Sequence, residues 1–418
     1  MRFLSVGSGT GGSIKSVPED FVVAEITGNG TVLDINSRYT PDMLQEKDDP
    51  DARFARFVLK KRDWDTIGAL TAMAKKMGRG RKSIGYAGTK DKASVSVQLA
   101  SIFGVSPGQV LGTRIKDIEV MGAWRGNEVE MGSNVGNAFS IRVRNAAHAG
   151  YASRIIEELG GRFPNYFDKQ RFGYRLNNFR IGRLIIDNRP EEAMMAFLTD
   201  TANEDNADAR AARERLSAEL NFRSALGYFP RHLKYERAVI DYMSRYGNPA
   251  NSMRKLPRGI LLMFVHAVES GIFNAALEKR LERSDMASKV HCAENFYGFP
   301  DVGNLAPDAG AGFAVSPLIG YETRPEYLGE CEIEVMESMG LAPESFKVRS
   351  MPELSLRGAF RSLLAPVKGL SCTEEGAGIL LLGFKIPSGT YATVLVNEIT
   401  KADKTDMGSI VRTDASLP

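Results

Sequence analysis

The chain opens with short alternating runs. Along residues 20–26, Phe21, Val23 and Glu25 oppose Val22, Ala24 and Ile26, which predicts a strand that is apolar on most positions. Residues 53–62 alternate Phe57 and Leu59 with Arg56, Val58 and Lys60 and predict a second strand. Asp63 or Asp65 then caps a helix running to about Met77, with Ile67, Leu70, Met73 and Ala74 on one face and Gly78 at its end. Residues 83–87 and 93–103 read as two more strands, joined by the polar loop Gly88-Thr89-Lys90-Asp91-Lys92, and 138–144 alternates again. This is an α+β pattern, not a repeating βαβ array.

The middle of the chain changes period. Residues 184–282 read as helical. Pro190 sits in a favoured first-turn position, and 207–220 is dense in Ala, Arg, Glu and Leu, which are strong helix formers. Residues 259–283 predict a long apolar helix broken near Gly271, and 293–318, rich in Gly, Pro and Ala, reads as irregular. An apolar strand at 378–386 and a helix at 391–399 follow. The expected organisation is an α+β domain whose C-terminal strand closes the N-terminal sheet, with a mostly helical insertion between.

Composition narrows the class. A chain of 418 residues, 43% hydrophobic and 25% charged, suits a soluble protein of two compact units. No apolar run approaches the roughly 20 residues that span a bilayer, and residues 1–6 do not resemble a secretory signal, so a cytoplasmic location is expected. The three cysteines, Cys292, Cys331 and Cys372, are far apart, and the four histidines are scattered, so neither a disulfide framework nor a metal site is expected. Net charge is only +3. Basic residues cluster before Asp91, at Lys60-Lys61-Arg62, Lys75-Lys76 and 79–82, and together these favour a phosphate-binding surface.

Gly7-Ser8-Gly9-Thr10-Gly11-Gly12 matches G-x-G-x-x-G, but Pro18 and an alternating run follow where a dinucleotide site needs a helix. Lys15-Ser16 is displaced from Gly12, so a P-loop fails as well. A flexible lead-in is expected there instead.

Three segments carry candidate chemistry. In the first, Lys15 precedes Pro18-Glu19-Asp20-Phe21, Val23 and Glu25. In the second, Ala87-Gly88-Thr89-Lys90-Asp91-Lys92 sets a carboxylate between two cations, which favour its ionised form and attract a phosphate backbone. In the third, Asn165-Tyr166-Phe167-Asp168-Lys169-Gln170-Arg171-Phe172-Gly173 mixes flat rings, amides and cations, a set suited to a base turned out of its stack. The rings can equally be core.

In combination these segments resemble the TruD family of pseudouridine synthases. They match its K-x-x-P-E-D-F-x-V-x-E, A-G-x-K-D and N-Y-F-x-x-Q-R-F-G signatures. Gly136-Asn137-Ala138-Phe139, Ser270 with Phe273-Asn274, and Pro387-Ser388-Gly389-Thr390-Tyr391-Ala392-Thr393 with Glu398 extend the likeness along most of the chain. Asn397 departs from it, standing where an arginine usually precedes the glutamate. The long insertion and the basic stretch before Asp91 resemble the archaeal or eukaryotic branch.

The resemblance implies an α+β fold: a catalytic domain with a mixed, mainly antiparallel sheet over 1–173 and 366–418, and a mostly helical insertion domain over 174–365. It implies a tRNA pseudouridine synthase acting on the uridine at position 13, with Asp91 as the catalytic carboxylate. Supporting roles fall to Lys15, as ion-pair partner of Asp91, to Asn165, which orients the base or the active loop, and to Phe167, which packs against the base. Lys90, Lys92, Lys169 and Arg171 are candidate RNA contacts, with Arg175, Arg180 and Arg183 extending a phosphate track. Isomerisation oxidises nothing and carries no group away, so no cofactor or metal is expected. The expected partner is tRNA, with no membrane and no obligate protein partner, and the expected state is a monomer. The alternative is a non-catalytic RNA-binding or RNA-folding protein on the same scaffold. The intact Lys15, Asp91, Asn165 and Phe167 set speaks against it.

Overall fold

The computed structural model describes residues 1–286, 290–292 and 313–403. Six strands come from the first third of the chain: β1 (Phe21–Ile26), β2 (Phe54–Arg62), β3 (Ile84–Tyr86), β4 (Val95–Phe103), β5 (Ile118–Gly126) and β6 (Gly136–Val143). Short strands follow: β7 (Arg162–Pro164), β8 (Val290–Cys292), β9 (Phe313–Leu318), β10 (Ala359–Ser362) and β11 (Leu364–Pro366). Then β12 (Lys368–Gly376) and β13 (Ile379–Pro387) return to the first six. Together they make an eight-stranded sheet of order β12-β13-β6-β1-β4-β2-β5, with β3 beside β4. Only β1 against β4 is parallel, so the sheet is mixed and mainly antiparallel, as expected.

β4 is buried along almost its whole length. β2 takes one edge of it from end to end. The other edge is shared: β1 pairs with Val95, Ser96 and Val97, and β3 pairs with Ala100, Ser101 and Ile102. Gln98 and Leu99 are left between them, and the loop after β3 is anchored at that gap.

The helix Thr66–Lys76 begins where sequence chemistry places it. The Asp65 side chain accepts from the Gly68 N–H at 2.7 Å, and Gly78 past its end has φ +69°. Such a cap is worth about 1 kcal/mol. The helix Arg258–Arg283 runs unbroken through the expected break, with Gly271 buried inside it. Against the expectation that no apolar run approaches a spanning length, it is long and apolar enough to cross a membrane by composition alone, but most of it is buried as the central helix of the core. The helix Asn178–Ile186 packs on it closely: a Cβ on Gly182 would come 2.0 Å from the Phe264 carbonyl oxygen. One apolar core runs from β6 and β13 through these helices to the helix Glu330–Ser338.

Three expectations need correction. β13 does not close the sheet; the exposed, polar β12 lies outside it as the edge strand. Of the region read as irregular, residues 313–318 form β9, between β8 and β10, and 293–312 lie outside the described residues. The glycine run at 7–12 is a packed strap, not a flexible lead-in. Thr10 and Gly11 donate to the carbonyls of Ile399 and Thr400, and Ser13 pairs with Arg144. Gly12 has φ +100°, and a Cβ there would meet Val143 at 2.6 Å. Gly9, where a Cβ would meet the Thr400 carbonyl oxygen at 2.2 Å, and Gly12 therefore serve close backbone approach, whereas Gly7 is exposed with open space around it.

Candidate active site

Lys15 has φ +62°, a left-handed conformation that costs a lysine strain and must be held by its surroundings. The pairing of Ser13 with Arg144 fixes the chain just before it. After it, buried Asp20 accepts from the Val17 N–H and takes the Arg144 guanidinium through both carboxylate oxygens, at 2.8 and 2.7 Å. The arginine holds the Asp20 carboxyl below the usual aspartate range. The Lys15 ammonium rests over the Phe21 ring at 4.3 Å and reaches Asp91 Oδ2 at 2.5 Å. Asp91 Oδ1 has no hydrogen-bond partner among the described residues, and the side chain is 33% exposed. One oxygen is held and the other is presented.

The loop carrying Asp91 is anchored from below. Glu25, at the far end of β1, accepts from the Leu99 N–H in the gap on β4 and pairs with Lys90 at 2.7 Å, both side chains buried. The Thr66 hydroxyl accepts from the Lys90 N–H and donates to Gln98, whose amide in turn donates to the Gly88 carbonyl. Lys61 and the Ser94 hydroxyl both donate to the Asp91 carbonyl. Desolvation lowers the Lys61 pKa to about 8, against the pull of Asp91.

The third motif is held differently. Asn165 is buried, and its amide donates to the carbonyl and hydroxyl of Ser362. Arg361 of β10 donates to the Asn165 carbonyl, to Asn165 Oδ1 and to the Gly389 carbonyl. Its guanidinium lies 4.0 Å from the centre of the Phe167 ring. Asn274 grips the Phe167 backbone at both N–H and carbonyl, each at 2.8 Å. Phe273 and Tyr391 meet the Phe167 ring edge-on.

A chain of contacts joins the two halves. Asn134 lies against Gly88 of the Asp91 loop, and its Oδ1 accepts from the Ser388 hydroxyl. Gly389 next to it binds Arg361. On the other side, Ile14 and Asp168 line one cavity of about 480 Å³ together with Thr393, which donates to Asp168. The first two motif segments thus meet directly through Lys15 and Asp91, and the third is linked to them through Asn134, Ser388, Gly389 and Arg361.

Several expected contacts sit elsewhere. Lys90 is not an RNA contact in this structure; it is buried on Glu25. Lys61 is likewise turned inward, because strand alternation puts it opposite Lys60 and Arg62, and Lys60 and Arg62 face Glu119 and Glu19. Phe167 offers no open face to a base: it is 5% exposed, under Arg361 and with Arg171 5.2 Å from its centre. Arg175 caps the carbonyls of Phe197 and Asp200, and Arg183 binds Asp187 and the Met339 carbonyl, leaving Arg180 as the exposed member of that track. Lys92 is exposed, and Lys169 pairs with Asp403. Sequence reasoning missed Arg361, Asn134 and the inward turn of Lys61. Only the last left a signal, its place in the alternation of β2. Among the described residues no group of three His, Cys, Asp or Glu side chains could hold a metal ion, and Cys331 and Cys372 are free thiols.

The sequence model of the family described as tRNA pseudouridine synthase D (TruD) matches residues 2–399. The chain belongs to the TruD family. Among its relatives, the "Probable tRNA pseudouridine synthase D" of Methanopyrus kandleri is 35% identical over 82% of this chain and 84% of its own. The protein of the same name from Pyrococcus abyssi is 31% identical over 96% and 99%. The crystal structure of the "Putative tRNA pseudouridine synthase D (TruD)" from Methanosarcina mazei superposes with a TM-score of 0.72 at 28% identity, covering 96% of each chain. These archaeal relatives agree with the branch suggested by the insertion and the basic stretch.

Proposed function

We propose that this protein isomerises uridine to pseudouridine in tRNA, at position 13, with Asp91 as the reacting carboxylate. The observation that carries the reading is the Asp91 side chain itself: Oδ2 on the Lys15 ammonium, Oδ1 without a partner among the described residues, in a loop anchored by buried charges. Such a carboxylate can attack ribose C1′, forming an ester-like C–O bond as the N1–C1′ bond breaks and its electron pair passes to the uracil. It can instead take the 2′-proton, so that the N1–C1′ bond breaks to a glycal. In both routes the base then turns. In the first, C5 bonds to C1′ as the Asp91–C1′ bond breaks and the carboxylate is freed. In the second, C5 adds to C1′ of the glycal and the proton returns from Asp91 to C2′. In both, the C5 proton leaves and N1 takes up a proton. The atoms balance as an isomerisation.

The uridine must leave its stack, which costs about a few kcal/mol. Exposed Lys92 and Arg180 can offset part of this at the phosphates. We read residues 1–173 and 366–418 as the catalytic domain and 174–365 as the insertion that helps select the RNA, acting in the cytoplasm as a monomer. Support for the insertion reading is that Arg361 reaches from that range into the Asn165 motif.

The test is pseudouridine mapping by carbodiimide chemistry on unmodified tRNA transcripts. The expected result is a single modified position, 13, made by the wild-type protein. Tight binding to tRNA with no pseudouridine in any transcript would contradict the reading and favour an RNA-binding role.

A further inference from the structure

Lys61 stands near the end of β2, on the strand face shared by Ala55, Phe57 and Leu59, and it is fully buried. Its Nζ donates to three carbonyls: those of Trp64, of Lys90 at 3.4 Å and of Asp91 at 2.9 Å. An ammonium has three N–H donors, so every one is committed and none can reach RNA. Two of the acceptors belong to the loop that presents Asp91. The third lies just before the helix Thr66–Lys76, whose Thr66 hydroxyl holds the Lys90 N–H. The charged groups around it are the Asp91 and Asp65 carboxylates and the Lys90 ammonium. A buried charge is costly, and a methionine would fill the same space without that cost. Packing alone does not explain an ammonium here.

We propose that Lys61 is a positioning residue for the reaction, clamping the main chain of Lys90 and Asp91 so that the carboxylate held by Lys15 keeps its aim at the ribose. This rests on the reading of Asp91 as the reacting group. Lys61 acts through that loop and does not meet the substrate.

The clamp depends on charge. Desolvation brings the Lys61 pKa down to about 8 from the ordinary lysine value of 10.5. Above that pH the amine loses a donor and turns a lone pair toward a carbonyl. The unfolded chain keeps its proton to higher pH than the folded one, so losing it favours the folded state. Activity therefore falls in this range without unfolding.

The experiment is single-turnover pseudouridine formation on a tRNA transcript from about pH 6.5 to about pH 9, for wild type and Lys61→Met, with tRNA affinity and circular dichroism measured in parallel. The wild-type rate is expected to bend downward near pH 8, approaching about tenfold loss per pH unit, at constant affinity and constant fold. Lys61→Met is expected to be slower by roughly ten- to a hundredfold at neutral pH, with affinity unchanged and the bend near pH 8 gone. A bend that arises in the substrate, as from the uracil N3, would appear in both profiles alike. A wild-type profile flat through pH 8, or a bend retained in Lys61→Met, would overturn the proposal. So would Lys61→Met turning over at the wild-type rate. Should Lys61→Met not fold, a flat wild-type profile still overturns the proposal, and Lys61→Arg, which stays charged throughout this range, takes the variant's place: it must lose the bend, and a bend retained in it overturns the proposal. If wild type makes no pseudouridine at any pH, the reading of the function has failed, not the role of Lys61 within it.

Discussion

The Asp91 loop and the segment 165–167 are both fixed by parts of the chain far away in sequence, but by opposite chemistry. The loop is held by ions: Glu25 on Lys90, Lys61 on backbone carbonyls, Lys15 on the carboxylate itself. The segment is held by amides and rings: Asn165 on Ser362, Asn274 on the Phe167 backbone, Arg361 over the Phe167 ring. On the proposed reaction the loop delivers an oxygen to a ribose, and the Lys15 contact and the Lys61 clamp hold that oxygen steady. The segment shapes a wall, and close packing suits that task. The ionic half therefore answers to pH and to charge removal, and the packed half answers to lost volume and lost hydrogen bonds.

The strongest way to break the ionic half in stability is Glu25→Gln, which leaves Lys90 charged and buried with no counter-ion. Removing one partner of a buried pair costs about 3–5 kcal/mol, and a urea titration should show the midpoint fall accordingly. The double variant Glu25→Leu with Lys90→Met should recover much of that loss, since an apolar pair replaces an ionic one. In the packed half, Arg361→Ala removes charged hydrogen bonds to the Asn165 and Gly389 carbonyls and should cost about 2 kcal/mol by the same titration, with no new pH dependence.

The Lys15 arm adds a pH test. Asp20 has its pKa lowered by Arg144, so its contribution is present above the ordinary aspartate value of 3.8 and is lost as pH falls through the lower folded value. Wild type should lose this stability on acidification, whereas Asp20→Asn should lack it already at neutral pH. The smallest effect belongs to Arg142→Ala. Its pairing with Glu375 across the sheet surface leaves both side chains about one-third exposed, and such pairs are worth less than about 1 kcal/mol.

Much of the ionic half was legible in the sequence, because the motif residues are themselves the chemical groups. Lys15, Glu25, Lys90 and Asp91 all lie in recognisable strings, and the Lys15–Asp91 pair stands where the resemblance put it. The roles of Lys90 and Phe167 were not legible. A lysine beside a catalytic aspartate reads as a phosphate contact, and only tertiary structure brings Glu25 beneath it. A ring in a motif reads as a base platform, and only β10, nearly two hundred residues later, places Arg361 over it. The glycines at 7–12 were misleading for a related reason: glycine signals close approach or a turn, and sequence does not say to what. The continuous helix Arg258–Arg283 overrode the cost of Gly271 by burial against the rest of the core.

The central claim is that Asp91 reacts and the remaining groups hold it. The most direct measurement is the single-turnover rate of pseudouridine formation by Asp91→Asn, a near-isosteric change, on a tRNA transcript that wild type modifies, with tRNA affinity measured on the same preparation. The account predicts no detectable pseudouridine at wild-type affinity. Product formed at a rate near that of wild type would show that the carboxylate is not the reacting group.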